Sequence, residues 1–170
     1  ETDELIEQTM IACADFLGCT DHREIVFGQN MTSLTIQLAS ALSRTWRPED
    51  EVVVTRSDHD ANVRPWVLAA QWSGAKLRWI DIDPADCTHN IDSIEENINE
   101  NTVMVAIGAA SNFSGTINDV KGICSKAHSF GAEVFVDAVH YAPHALIDVQ
   151  ELGCDYLACS SYKFFGTHQG

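Results

Sequence analysis

The sequence predicts an α/β fold of three layers, α/β/α, in which a mostly parallel sheet lies between two layers of helices. Three segments carry this prediction because they are apolar at nearly every position: residues 51–55 (EVVVT), 102–110 (TVMVAIGAA) and 133–139 (EVFVDAV). Strands that are apolar on both faces are typical of a parallel sheet that is covered on both sides. Helical patterns alternate with these strands along the chain, which is the arrangement of βαβ units.

Five helices are predicted from apolar residues at helical spacing and from capping residues at their ends. In chain order they cover residues 3–17, 30–46, 60–74, 91–99 and 120–130. The second helix is expected to open near Asn30 and to end before Pro48. In the third, Pro65 suits the first turns and Gly74 suits the close. Six strands complete the prediction, at residues 24–28, 51–55, 76–83, 102–110, 133–139 and 155–161.

The chain is strongly acidic, with 10 Lys and Arg against 25 Asp and Glu among 170 residues, which gives a net charge of −15. Such a surface repels phosphate backbones and anionic lipids, so we predict that it binds neither nucleic acid nor a membrane. Its six cysteines form no C-x-x-C pair. We expect them to be reduced and the protein to be cytoplasmic. Because Glu1 opens inside a helical pattern, we expect residues 1–170 to be a single domain of a longer protein.

Polar residues follow several predicted strands, and in open α/β sheets ligands bind beyond the carboxyl ends of the strands. Met31 and Thr32 follow the first strand, where they could help bind an anion at a helix start or could belong to an ordinary helix cap. His59 follows the second strand and could stack on a flat ring, bind a metal or cap a helix. Asn112 follows the fourth strand in a segment that also suits a turn.

A carboxylate and an amine follow the last two strands. Asp137 ends the apolar run EVFV, with His140 three residues later. A carboxylate there is costly to bury unless a cation pairs with it, and a protonated ring nitrogen would be suitable. Lys163 lies beside two phenylalanines. We expect it to be desolvated, which favours the neutral amine that a nucleophile needs.

The segments SDHDANVRPW, SNFSGTIND, VDAVHYAPH and SSYKFFG resemble, in this order, the class V aminotransferase and cysteine desulfurase family. These enzymes use pyridoxal phosphate, and the likeness runs over roughly residues 20–170. The resemblance implies the large cofactor-binding domain of a fold type I enzyme. It also implies a preceding segment and a carboxyl-terminal small domain outside this sequence, an amino-acid substrate and a homodimer.

The resemblance gives each residue around the cofactor ring a role. Lys163 matches the lysine that forms a Schiff base with the cofactor and moves a proton at the substrate α-carbon. Asp137 matches the carboxylate that keeps the pyridine nitrogen protonated. His59 matches the aromatic ring stacked on the cofactor, while His140 and Asn112 match residues near its phenolic oxygen.

The resemblance also implies a phosphate site. Met31 and Thr32 match the turn that binds the phosphate, and Ser160 matches a serine that reaches it. Tyr162 departs from the desulfurase pattern, which has histidine before the lysine, and resembles kynureninases. No cysteine follows Lys163 in this sequence, so desulfuration, amine transfer, elimination and racemisation all stay open as reactions.

Two other functions compete with this one. A metal site could use His140 and His144 with Asp58, His59 or Asp137, but Pro143 interrupts any helix that would align the two histidines. We therefore predict no metal site. The second alternative is a catalytically inactive fold fragment or an interaction domain that retains the sheet.

Overall fold

The computed structural model describes residues 1–166 and contains one sheet of five parallel strands. The strands are β1 Glu51–Thr55, β2 Lys76–Ile80, β3 Thr102–Gly108, β4 Glu133–Asp137 and β5 Tyr156–Ala158. Their order across the sheet is β2-β1-β3-β4-β5. All carboxyl ends therefore meet at one edge, as the sequence predicts.

Six α-helices within residues 1–166 surround the sheet. They are α1 Thr2–Leu17, α2 Met31–Leu42, α3 Arg64–Ser73, α4 Ile91–Asn97, α5 Val120–Ser129 and α6 Val149–Leu152. Short 3₁₀ turns lie at His22–Glu24, Asp60–Asn62 and Ser161–Lys163. None of the helices in the described part of the chain has the length and apolar character that a membrane crossing requires.

Alternate side chains of the strands point to opposite faces, and each face is covered by a helical layer. Val52 and Val54 pack in one cluster with Trp66 of α3, whose ring lies 5.1 Å from that of Phe135. Val53 faces the other cluster. That second cluster includes Ile123 and Ala127 of α5. Partly buried side chains of three other helices pack against it: Leu17 of α1, Ile94 of α4 and Leu152 of α6. The predicted three-layer α/β/α architecture is confirmed.

The predicted strand at residues 24–28 is wrong. Asp21 accepts a hydrogen bond of 2.9 Å from the backbone N–H of Arg23 and starts a 3₁₀ turn, after which the chain is irregular. Val26 is 72% exposed, so this apolar segment lies outside the core. An apolar run becomes a strand only where a neighbouring strand takes its hydrogen bonds.

Several predicted elements are shorter in the structure. β2 ends at Ile80 because the N–H of Asp81 donates to Ser93 Oγ over 2.9 Å. The predicted helix 60–74 divides into a 3₁₀ turn and α3, and α2 ends at Leu42. The predicted strand 155–161 keeps three residues as β5. Helix α6 has no counterpart in the prediction and begins where Asp148 caps two backbone N–H groups.

Candidate functional site

Asp137 lies at the carboxyl end of β4 and is 9% exposed. Its Oδ1 accepts a hydrogen bond of 2.9 Å from the backbone N–H of Val139. Burial raises the pKa of this carboxyl, and the Val139 hydrogen bond and the positive charges available to His59 and His140 oppose the rise. The structure therefore brings three of the predicted residues, Asp137, His59 and His140, to one edge of the sheet.

Asp58 joins this group, although the sequence suggests it only as a possible metal ligand. Its Oδ1 accepts from the N–H of Gly108, and its Oδ2 accepts from Asn62 Nδ2, each over 2.9 Å. Burial, followed by the charge of Asp137, raises the pKa of Asp58 to about 7. The sequence feature that indicates Asp137 could also have indicated Asp58: each is a carboxylate at or just beyond the end of an apolar strand, and β1 is buried at every position.

His59 and Asn112 are both exposed and line the same cleft, which has a volume of about 260 Å³. The Nδ1 of His59 accepts a 3.0 Å hydrogen bond from the N–H of Ala61, so the capping role left open by the sequence is present. The Nε2 edge of the ring remains available to a ligand. Ile82 and Cys87, which follow β2, form another wall of the cleft.

Ser160 connects the end of β5 to the start of α2. It is 1% exposed, and its Oγ accepts a 3.0 Å hydrogen bond from the backbone N–H of Met31. The hydroxyl proton of Ser160 is thus free to be donated elsewhere. Asn30 caps α2 through a 2.9 Å hydrogen bond from the N–H of Ser33 to its Oδ1, and Thr32 is exposed in the first turn.

Lys163 lies in the 3₁₀ turn that follows Ser160, and its N–H donates to the carbonyl of Ser160 over 2.9 Å. Its side chain is exposed, and its Nζ is 5.8 Å from the ring centre of Tyr162, which is exposed too. The expected desolvation of Lys163 is therefore wrong. The strand ends five residues earlier, and Phe164 stacks on Phe16 of α1 at 5.1 Å. Residues 167–170 lie outside the described residues.

Within residues 1–166, no three His, Cys, Asp or Glu side chains are grouped so that they could hold a metal ion. The rings of His140 and His144 are 5.8 Å apart in an edge-on arrangement. They belong to a turn rather than a helix.

Residues 1–168 match the family model described as aminotransferase class-V. The chain belongs to this family. A probable cysteine desulfurase from Halalkalibacterium halodurans is 40% identical to the chain over 152 residues, or 89% of this chain and 37% of the relative. A cysteine desulfurase from Enterobacter sp. (strain 638) is 34% identical over 167 residues, or 98% of this chain and 41% of the relative.

A solved structure is similar to the chain as well. The crystal structure of the cysteine desulfurase CsdA from Escherichia coli matches with a TM-score of 0.89 at 30% identity, over 95% of this chain and 40% of that one. The class-V chain therefore spans about 40% of the length of the relatives it matches. The family to which the sequence resemblance pointed is confirmed.

Proposed function

We propose that this chain forms the pyridoxal-phosphate-binding core of an enzyme that acts on an amino acid, either desulfurase-like or aminotransferase-like. The observation that carries the proposal is the buried carboxyl of Asp137 at the end of β4, beside the imidazoles of His59 and His140. In a parallel α/β sheet this is the edge where ligands bind.

The ring of the cofactor would lie between Asp137 and His59. Asp137 Oδ1 takes the N–H of Val139, which leaves Oδ2 for a protonated ring nitrogen. His59 would stack on the ring, and His140 and Asn112 would donate to the phenolic oxygen. When bound, pyridoxal phosphate supplies an electron sink for charge that develops at the substrate α-carbon.

The phosphate group would lie at the first turn of α2. A helix start favours an anion through its N–H groups and its dipole, and α2 has twelve residues. Thr32 is exposed at this turn, and Ser160 has a hydroxyl proton to donate because its oxygen already accepts from Met31. The hydroxyl of Tyr162, one residue before Lys163, would be a further donor.

Lys163 would bond covalently to the cofactor and move a proton at the substrate α-carbon. Its side chain is exposed and its backbone is tied to Ser160, two features that leave the amine reachable while fixing its starting point. Both features suit a lysine that must exchange with an incoming amino acid.

We propose an amino-acid substrate, with cysteine the candidate suggested by the names of the relatives. We further propose a cytoplasmic homodimer whose subunit boundary lies close to the site. Phe113, which lines the cleft, is 92% exposed, and Leu146, which follows the turn with His140, is 94% exposed. These two apolar side chains near the site support a boundary there, since larger apolar patches mark surfaces that a partner covers.

Titration of the chain with pyridoxal phosphate, followed by visible absorbance, tests the proposal. We expect a saturable band that is lost after borohydride reduction and absent in Lys163→Ala. Lys121→Ala is the matched control, since Lys121 is an exposed lysine on α5 that should leave the band unchanged. A folded chain that gives no band would contradict the proposal and support the inactive-fragment alternative.

A further inference from the structure

The carboxyl of Asp58 bridges two neighbouring strand ends. It accepts 2.9 Å hydrogen bonds from the N–H of Gly108, at the end of β3, and from the amide of Asn62. Asn62 Oδ1 in turn accepts a 3.2 Å hydrogen bond from Nε1 of Trp66, which is fully buried. Asp58 is therefore anchored through one polar chain to the core beneath α3.

Gly108 shows how closely this carboxyl approaches the sheet. A Cβ atom on Gly108 would lie 2.5 Å from Asp58 Oδ1, well inside van der Waals contact. Any side chain at position 108 would therefore displace the carboxyl from its hydrogen bond. The absence of a side chain at this strand end is what allows Asp58 to sit against the backbone.

We propose that Asp58 is a positioning residue of the cofactor site, which fixes the backbone that carries His59 and places a second negative charge near the Asp137 carboxyl. The inference rests on the proposed function, because it assigns a role at the same site. His59 follows Asp58 directly and is held on its other side by the N–H of Ala61. The backbone before His59 is thus fixed by Asp58, and the His59 ring is held by Ala61.

The ionisable groups around Asp58 belong to several elements. His59 and Arg56 line the same cleft, and Arg56 is paired with Asp81 at 2.5 Å. Asp137 comes from β4, and its charge is among the causes that raise the pKa of Asp58. Around Asp137 lie His140 and Cys159, and the pKa of Cys159 is raised to about 11 by burial, with contributions from the charges of Cys13 and Asp137.

These charges make the site sensitive to pH near neutrality. Since the pKa of Asp58 is raised to about 7, its carboxyl ionises as the pH passes from 6 to 8. An ionised Asp58 close to Asp137 adds negative charge to the site and makes the Asp137 carboxylate a stronger acceptor for a cationic ring nitrogen. Binding of a protonated pyridine should therefore depend on Asp58 more strongly at pH 8 than at pH 6.

The test measures carboxyl carbons by NMR in the cofactor-free chain. We expect Asp58 to titrate near pH 7 in the wild type and at lower pH in Asp137→Asn, since the like charge is gone. Gly108→Ala, which displaces the carboxyl from its hydrogen bond but keeps its charge, should also move the Asp58 midpoint. It serves as the second variant if Asp137→Asn does not fold.

Asp119→Asn is the matched control. Asp119 accepts a 3.0 Å hydrogen bond from Gly122 at the start of α5, so it has the same kind of contact in another place. An Asp58 midpoint that is the same in Asp137→Asn and the wild type would overturn the inference, whether or not the wild type binds cofactor.

The second readout is the dissociation constant for pyridoxal phosphate at pH 8. We expect it to rise about tenfold in Asp58→Asn, the effect of a weakened charged hydrogen bond between Asp137 and the ring nitrogen, and to stay unchanged in Asp119→Asn. Equal affinity of Asp58→Asn and the wild type would overturn the inference while leaving the proposed function intact. A wild type that binds no cofactor would overturn the proposed function.

Discussion

The hydroxyl oxygen of Ser160 accepts a 3.0 Å hydrogen bond from the backbone N–H of Met31, although 129 positions separate the two residues. This bond joins the end of β5 to the first turn of α2. Through Ser160 it also reaches Lys163, whose N–H donates to the Ser160 carbonyl. Ser160 therefore accepts hydrogen bonds from both the first turn of α2 and the backbone of Lys163.

Replacing Ser160 with alanine should destabilise the fold and weaken cofactor binding. The variant leaves the N–H of Met31 without its acceptor in a buried place, a loss of about 1–2 kcal/mol in the free energy of unfolding. Urea denaturation measures it. Ser129→Ala is the control, because Ser129 is an exposed serine that bonds within its own helix. Equal losses of unfolding free energy in both variants would contradict a stabilising role for the bond between Ser160 and Met31.

Replacing Asp137 with asparagine should separate binding from folding. Burial raises the pKa of Asp137, so its ionised form costs folding free energy, and the cost grows as pH rises through the folded pKa. At pH 8 the urea midpoint of the variant should therefore be equal to or higher than that of the wild type. Its dissociation constant for pyridoxal phosphate should rise at least about tenfold. Unchanged affinity would contradict the role given to Asp137.

His89 should make the fold sensitive to acid. It is 8% exposed, its Nε2 is 2.9 Å from Ser57 Oγ, and its Nδ1 has no hydrogen-bond partner within residues 1–166. A second proton on the ring would thus create a buried, unpaired N–H. Burial accordingly lowers the pKa of His89 from 6.5 to about 4.

Because the folded pKa is the lower one, the stability contributed by neutral His89 is present above pH 6.5 and is lost as the pH falls toward 4. At pH 5 the loss is about 2 kcal/mol relative to pH 7. His89→Gln should abolish this loss in urea denaturation at the two pH values, and His144→Gln, at an exposed histidine, should not. A wild type and a His89→Gln variant with parallel pH dependence would contradict the assignment.

Local sequence patterns predict the strands inside the sheet. They do not predict which apolar segments outside the sheet are exposed. β1, β3 and β4 are buried at nearly every position, so their apolar runs alone identified them. Residues 24–28 have a similar composition but no neighbouring strand, and composition does not reveal a missing neighbour. The two phenylalanines after Lys163 suggested burial, yet Phe165 is fully exposed.

The sequence does not indicate the contacts of Asp58, for a related reason. Its partners include Gly108, which is 50 positions away, and the charge of Asp137. The fold creates such contacts, and they leave no trace in a short sequence window. The residues that the sequence marked correctly as neighbours, Asp137 and His140, are three positions apart, while His59 was placed beside them by the parallel order of the strands.

The most direct test of the cofactor site is borohydride reduction of the chain with pyridoxal phosphate, followed by peptide mass mapping. We expect one lysine to carry the reduced cofactor and this lysine to be Lys163. Cofactor spread over surface lysines such as Lys121, with Lys163 no more modified than the others, would contradict it.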